Sequence, residues 1–144
     1  MYTKILVAVD LSNDSHKVIA TAVRMAANDT NMLHLVHVVE PVAAAYSMDI
    51  YAVNINELQQ EAINMAESKL DKVGNDLGIG SDRTHTLLGA PATEIRNLGC
   101  EIGADAIVIG SHGHSGWKIL LGSIAIKLLH GATCDILTVH VGDD

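Results

Sequence analysis

Five short apolar runs punctuate this chain, and between them lie stretches whose apolar residues recur at helical spacing. That alternation predicts an α/β protein built on a parallel sheet with helices on both faces. The first run, Ile5 to Val9, is continuous rather than alternating, as a strand covered on both faces requires. It stops at Asp10. Ser12, Asn13 and Asp14 then offer a helix cap, and Val18, Ile19, Ala22, Val23, Met25 and Ala26 fill one helical face behind it. The second run, Leu33 to Val39, is stopped by Glu40-Pro41, because proline cannot donate to a central ladder.

Val42 to Asn56 has no clear period and reads as a long connection, partly helical at most, and a candidate flap or interface. Leu58, Ala62, Met65, Leu70, Val73 and Leu77 then mark an amphipathic helix, weakened by Gly74 and ended by Gly78-Ile79-Gly80, with Met65 and Met25 assigned to the core. Arg83 to Leu88 is a weaker strand. Gly89-Ala90-Pro91 opens a helix with Ile95, Leu98 and Ile102 as its buried stripe, and Gly103 closes it. Ala106 to Ile109 is a short buried strand ending at Gly110. A glycine-rich stretch runs from Gly110 to Gly122, a helix from Ser123 to His130 with Gly131 as a left-handed cap, and a last strand from Ile136 to Val141. Gly142-Asp143-Asp144 reads as a solvated tail.

Length changes the picture little: 144 residues fit one domain, 1–144, with one ordinary core. Hydrophobic residues at 49% and charged residues at 18% exclude a disordered chain. Aromatic residues at 3%, with no Phe, leave no stacking platform for single-stranded nucleic acid. Nine basic against 17 acidic side chains give a net charge of −8, so a phosphate polymer or an anionic membrane is not an expected partner. Cys100 and Cys134 are far apart in sequence and form no CxxC; they read as buried thiols in a reducing compartment. The start of the chain lacks the order of a signal peptide, and no apolar stretch approaches membrane-spanning length, so a cytoplasmic location is expected.

In an open parallel sheet, ligands bind beyond the carboxyl ends of the strands where strand order reverses. Two loops therefore carry the candidate chemistry: Asp10-Leu11-Ser12, and Gly110-Ser111-His112-Gly113 continuing to Gly122-Ser123. Glycines let backbone approach a phosphate, and N–H groups at a helix start point at the anion. No GxxxxGK[ST] occurs, since no Gly precedes Lys, and no GxGxxG follows the first strand. Taken alone, the GxxG of this loop is equally a turn that packs a helix on a sheet.

Gly110-Ser111-His112-Gly113, eight further residues and Gly122-Ser123 resemble the phosphate loop of the universal stress protein family. The opening Ile5-Leu6-Val7-Ala8-Val9-Asp10-Leu11-Ser12, the Leu35-Val36-His37-Val38 strand and the closing Cys134-Asp135-Ile136-Leu137-Thr138-Val139 resemble it too. The resemblance implies an adenine nucleotide alpha hydrolase-like fold with strand order 3-2-1-4-5, a homodimer paired through the last strand, Ile136 to Val141, and ATP or another adenine nucleotide bound with Mg²⁺. It assigns Asp10, beside Ser12, to the ribose or a phosphate-bound metal, and the backbone of Val38 to adenine. Ala8, Val9 and Gly89 would line base and sugar; Gly110, His112, Gly113, Gly122, Ser123 and Ile124 would hold the triphosphate. The chain departs from the family's ATP-binding pattern in having eight residues, His114 to Leu121, where nine are usual. Its Asp10-Leu11-Ser12 opening resembles the branch that binds no nucleotide. Two functions stand side by side: a nucleotide-responsive dimer in stress response, and a dimer that acts through protein contacts alone. An adenylating enzyme ranks last, for want of room for an acceptor site.

The other polar residues read more plainly. Asp10 at a strand end is also a common turn former. Ser111 and His112 do not form a GxSxG elbow and have no acid partner, so a serine triad is excluded; catalysis beyond slow ATP hydrolysis is not expected without charge-stabilising cations in the loop. His34 and His37 lie on opposite faces of one strand and read as hydrogen-bonded structural residues. His16, His85, His130 and His140 read as surface or packing residues, and Trp117 as a loop anchor.

Overall fold

Every residue of the first strand, β1 (Ile5–Ala8), is buried, as its unbroken apolar run requires. The computed structural model describes residues 2–41, 55–111 and 117–141, with side chains from residue 124 onward in the last stretch. The remaining strands are β2 (Leu33–Val39), β3 (Thr84–Leu88), β4 (Ala106–Gly110) and β5 (Asp135–Val139). All pair in parallel, in the order β3-β2-β1-β4-β5.

Helices α1 (Ser15–Met25) and α2 (Ile55–Leu77) cover one face, where Val18, Ile19, Ala22 and Leu70 pack on Ile5, Val7, Leu33 and Leu35. Helices α3 (Pro91–Ile102) and α4 (Trp117–His130) cover the other, where Ile95, Leu98, Ile124 and Leu128 pack on Leu6, Ala8, Val36 and Val38. Odd and even positions of β1 and β2 thus serve separate apolar layers, as the period of two in a strand demands. Among the described residues, no helix is long and apolar enough to cross a membrane.

Several expectations hold: β2 keeps its bounds, α3 begins with Pro91 and ends at Gly103 in a left-handed cap (φ 73°), and Gly78 (φ 74°) follows α2. Others are corrected. The last helix starts at Trp117 rather than Ser123, and Gly131 is not left-handed; a Cβ on it would come within 2.7 Å of Arg96 Nε. Arg96 Nη2 donates to the Lys127 carbonyl (3.0 Å), tying α3 to the end of α4. Met65 is not core: it is 60% exposed, and the deeper α2 positions are Ala66, Leu70 and Gly74. Cys100 is exposed and Cys134 half-buried, so neither is the fully buried thiol expected. The 42–54 part of the long connection and the 142–144 tail lie outside the described residues.

Gly74 does not end α2, which runs on to Leu77; the residue is small because β3 passes beside it. A Cβ there would lie 2.8 Å from Thr84 Cγ2 and 3.0 Å from the Ile79 carbonyl oxygen. Gly74→Ala should therefore destabilise the protein by about 1–3 kcal/mol in urea unfolding despite the better helix propensity of alanine, because overpacking outweighs propensity. A neutral or stabilising result would contradict this packing.

His34 on β2 and His85 on β3 meet through Nδ1 and Nε2 at 3.1 Å. Their centroids are 5.4 Å apart with planes 10° from parallel, and that separation is the nitrogen contact plus one ring radius on each side. The rings therefore meet edge to edge in an N–H···N hydrogen bond, not face to face. Burial lowers both pKa values, aided at His34 by His85, Lys4 and Arg83 and opposed at His85 by Glu101 and Asp82. Folded protein then binds fewer protons than unfolded, so stability falls as pH drops through 6.5 toward the lowered folded values. The urea midpoint should be lower at about pH 5.5 than at about pH 7.5, with a smaller difference in a His34→Gln/His85→Gln double variant. An identical pH dependence in the variant would remove the pair as the cause.

Candidate functional site

The order of connections fixes where a ligand can enter. From β1 the chain winds outward through α1, β2, α2 and β3, then α3 carries it back to β4 on the other side of β1. The loops leaving β1 and β4 consequently diverge to opposite faces, which opens a crevice at their carboxyl ends. Asp10-Leu11-Ser12 forms one wall and Gly110-Ser111 the other.

On the first wall, Asp10 Oδ1 accepts three hydrogen bonds, from Ser12 N (3.0 Å), Ser12 Oγ (2.7 Å) and Ser15 Oγ (2.8 Å). Ser12 Oγ in turn accepts from Asp14 N at 3.2 Å. This mesh organises the entry to α1, whose N-cap residue Asp14 makes no side-chain cap of its own. It also holds Leu11 at φ 63°, a left-handed conformation that costs a non-glycine residue about 1–2 kcal/mol. The turn-forming role of Asp10 is therefore realised by Oδ1, and its carboxylate stands at the crevice with a fixed orientation.

Beside it, His37 Nδ1 lies 2.7 Å from the Val9 carbonyl oxygen and must donate, since a carbonyl only accepts. Burial lowers the His37 pKa, against the raising influence of the Val9 bond and Asp10. The register of β1 and β2 ends at Ala8 and Val36, with Val9 N still donating to Val36 O at 2.8 Å. In a parallel ladder alternate residues face alternate neighbours. Val36 faces β1, and Val39, whose carbonyl accepts from Gly89 N at 3.0 Å, faces β3. Val38 accordingly turns its N–H and C=O toward the side that β1 has just left, while its side chain is buried under α3 and α4.

On the second wall, Gly110 is the buried last residue of β4, opposite Val139 of β5. Ser111 N donates to Val139 O (2.7 Å), and its hydroxyl donates to Val141 O (3.2 Å) and accepts from Val141 N (3.0 Å). Ser111 is thus an anchor for the segment that follows β5. His112 and Gly113 lie outside the described residues. Gly122 and Ser123 sit five and six residues after the first residue of α4, where helical N–H groups are spent within the helix, so they do not form the helix start expected of them. Ile124 is buried against the sheet.

Ala8 and Val9 form the buried floor between the walls. A cleft of about 340 Å³ lies at the start of α3, lined by Gly89, Pro91 and Ala92, by Glu40 and Pro41, and by Ile124 and Lys127 of α4. Gly89 has φ 151° and lies under Glu94, whose carboxyl would stand about 3.0 Å from any Cβ. The reading of His37 as a hydrogen-bonded structural residue holds, although its partner, the Val9 carbonyl, was not legible. Sequence reasoning missed Ser15 as a partner of Asp10 and Glu94 as the neighbour of Gly89. Among the described residues, no group of three or more His, Cys, Asp or Glu side chains could hold a metal by itself.

With this architecture in place, comparison with known proteins is decisive for the family. The model of the universal stress protein family matches residues 1–140, and the chain belongs to that family. It is 39% identical over 139 residues to universal stress protein A homolog 1 of Coxiella burnetii, covering 96% of each. It is 32% identical over 144 residues to universal stress protein G of Salmonella typhimurium, covering 97% of this chain and 100% of that one. Among solved structures, UspA of Lactobacillus plantarum shares the fold with a TM-score of 0.73 at 23% identity, covering 96% of this chain and 97% of that one. A universal stress protein in complex with cAMP does so with a TM-score of 0.57 at 23% identity, covering 96% and 97%.

Asp10→Ala would strip three hydrogen bonds from the loop and leave Ser15, 7% exposed, with an unmatched hydroxyl. Thermal or urea unfolding should report a loss of about 2–3 kcal/mol. A change below about 0.5 kcal/mol would mean that the mesh contributes little.

Proposed function

We propose that this chain is a cytoplasmic stress-response protein that binds ATP or another adenine nucleotide with Mg²⁺ and works as a nucleotide-responsive homodimer. The observation that carries this reading is the juxtaposition at the switch point: the oriented Asp10 carboxylate, the Val38 backbone facing the gap beyond β1, and Gly110 at the opposite wall. Base and sugar would lie over Ala8, Val9 and Gly89, and the phosphates would run toward Gly110, His112, Gly113, Gly122, Ser123 and Ile124. The cAMP complex of a fold relative supports an adenine nucleotide as the ligand class.

The residues present fit Mg²⁺ only in its nucleotide-borne form. Among the described residues no group of three or more ligands is gathered, and Asp10 stands at the crevice with an oriented carboxylate; magnesium in such sites takes one or two carboxylates plus phosphate oxygens and water. Bound there, the ion would neutralise phosphate charge in a molecule of net charge −8. The dimer would form along β5, an edge strand whose backbone awaits pairing and which exposes Leu137, with Ile126 and Leu129 exposed on α4.

A second reading, a dimer of this family that acts by protein contact without nucleotide, is favoured by one observation: Gly122 and Ser123 stand within α4 rather than at its start. Calorimetry separates the two. Purified protein titrated with ATP and Mg²⁺ should release or absorb heat in a saturable curve, and Gly113→Val should abolish it. Absence of heat at about millimolar ATP, an affinity floor of about −4 kcal/mol, would select the nucleotide-free dimer.

A further inference from the structure

We propose that His37 is the positioning residue for base selection: by holding the Val9 carbonyl where the β1–β2 ladder ends it keeps the Val38 N–H and C=O turned to the gap, where they read the edge of an adenine. The inference rests on the nucleotide reading above and adds to it the residue that sets base specificity.

Continuation of the ladder would match Val38 with Asp10 and give the Val9 carbonyl to the Val38 N–H, because the last rungs join Ala8 to Val36 and Val9 N to Val36 O. The His37 imidazole reaches that same carbonyl at 2.7 Å from the α1 and α2 face of the sheet. There the strand ends and the chain turns into Asp10 and the left-handed Leu11. His37 therefore does two things with one bond. It fixes the Val9 carbonyl, from which Asp10 departs, and it occupies a lone pair of the acceptor that a continued ladder would offer to the Val38 amide.

A strand residue that presents its N–H and C=O side by side on one edge complements adenine, which offers the N1 acceptor beside the N6 amino donor. Guanine reverses both, with N1–H and O6, so donor would face donor and acceptor would face acceptor. Leaving such groups unpaired in a closed site is what gives polar recognition its selectivity. The residues assigned to base and sugar, Ala8, Val9 and Gly89, are apolar or lack a side chain, and Glu40, Thr93 and Lys127 line the cleft beside Gly89.

The test compares His37→Leu, which removes the ring donor, with His37→Asn, whose side-chain amide places an N–H where Nδ1–H stands. Binding of ATP and of GTP is measured by calorimetry for each, with circular dichroism as the check on folding. Wild type should prefer ATP over GTP by about tenfold or more. In His37→Leu the ratio should fall toward one through weaker ATP binding with GTP little changed, and His37→Asn should restore it. Equal weakening of both nucleotides, or an unchanged ratio, overturns the proposal while leaving the nucleotide reading standing. If wild type binds neither, both fall. Should His37→Leu not fold, the wild-type Val38 amide resonance decides: a shift that saturates with adenosine supports the proposal, and no shift at saturation overturns it.

Discussion

A strand without a polar face dictates much of this molecule. Ile5–Ala8 is fully buried, so it has to be roofed by helices above and below. Four connecting helices, two per face, do this only if the chain first winds away from β1 on one side and then returns to continue on the other. The crevice between the loops after β1 and β4 is the geometric residue of that reversal. Burial of a strand on both faces and the existence of a ligand site are thus one constraint seen at two scales.

What happens at the end of that strand turns a crevice into a chemical site. An apolar strand can stop only if its last backbone groups find other partners. Val9 finds His37 for its carbonyl and Val36 for its N–H, and Asp10 then spends one oxygen on the serines that start α1. Each of these bonds satisfies a group that the ladder has abandoned. Together they hold a carboxylate and the outward-facing backbone of Val38 at fixed positions without a cationic side chain from the Asp10 loop.

The strands and the first and third helices were legible because their signals are local: unbroken Val, Ile and Leu runs, a Pro at a helix start, a Gly after its end. Strand order was legible only through likeness to a family, since periodicity says nothing about which strands are neighbours. Helix α4 misled because Trp117 to His130 is apolar nearly all round, so no amphipathic stripe marks its beginning, and Gly122 looked like a boundary. Met65 misled for the opposite reason. It falls on a plausible stripe, but Ala66, Leu70 and Gly74 form the buried line, and a long helix over an edge strand leaves its flank open. In the site, Asp10 was legible by position, whereas the part played by His37 depends on a contact between strands that adjoin only in the fold.

The paired hydrogen bonds between Ser111 and Val141 join the rim of the crevice to the segment that follows β5. Force on the carboxy-terminal tail is therefore carried past the outer strand and delivered to the residue next to Gly110. A tether fused there would pull on the mouth of the crevice, whereas one at the opposite terminus would pull against the carboxylate of Asp105, which grips Thr3 and Lys4 at the amino ends of the strands. A pull from one side thus reaches the rim beside Gly110, and a pull from the other passes Asp105 into β1, whose far end leads to Asp10.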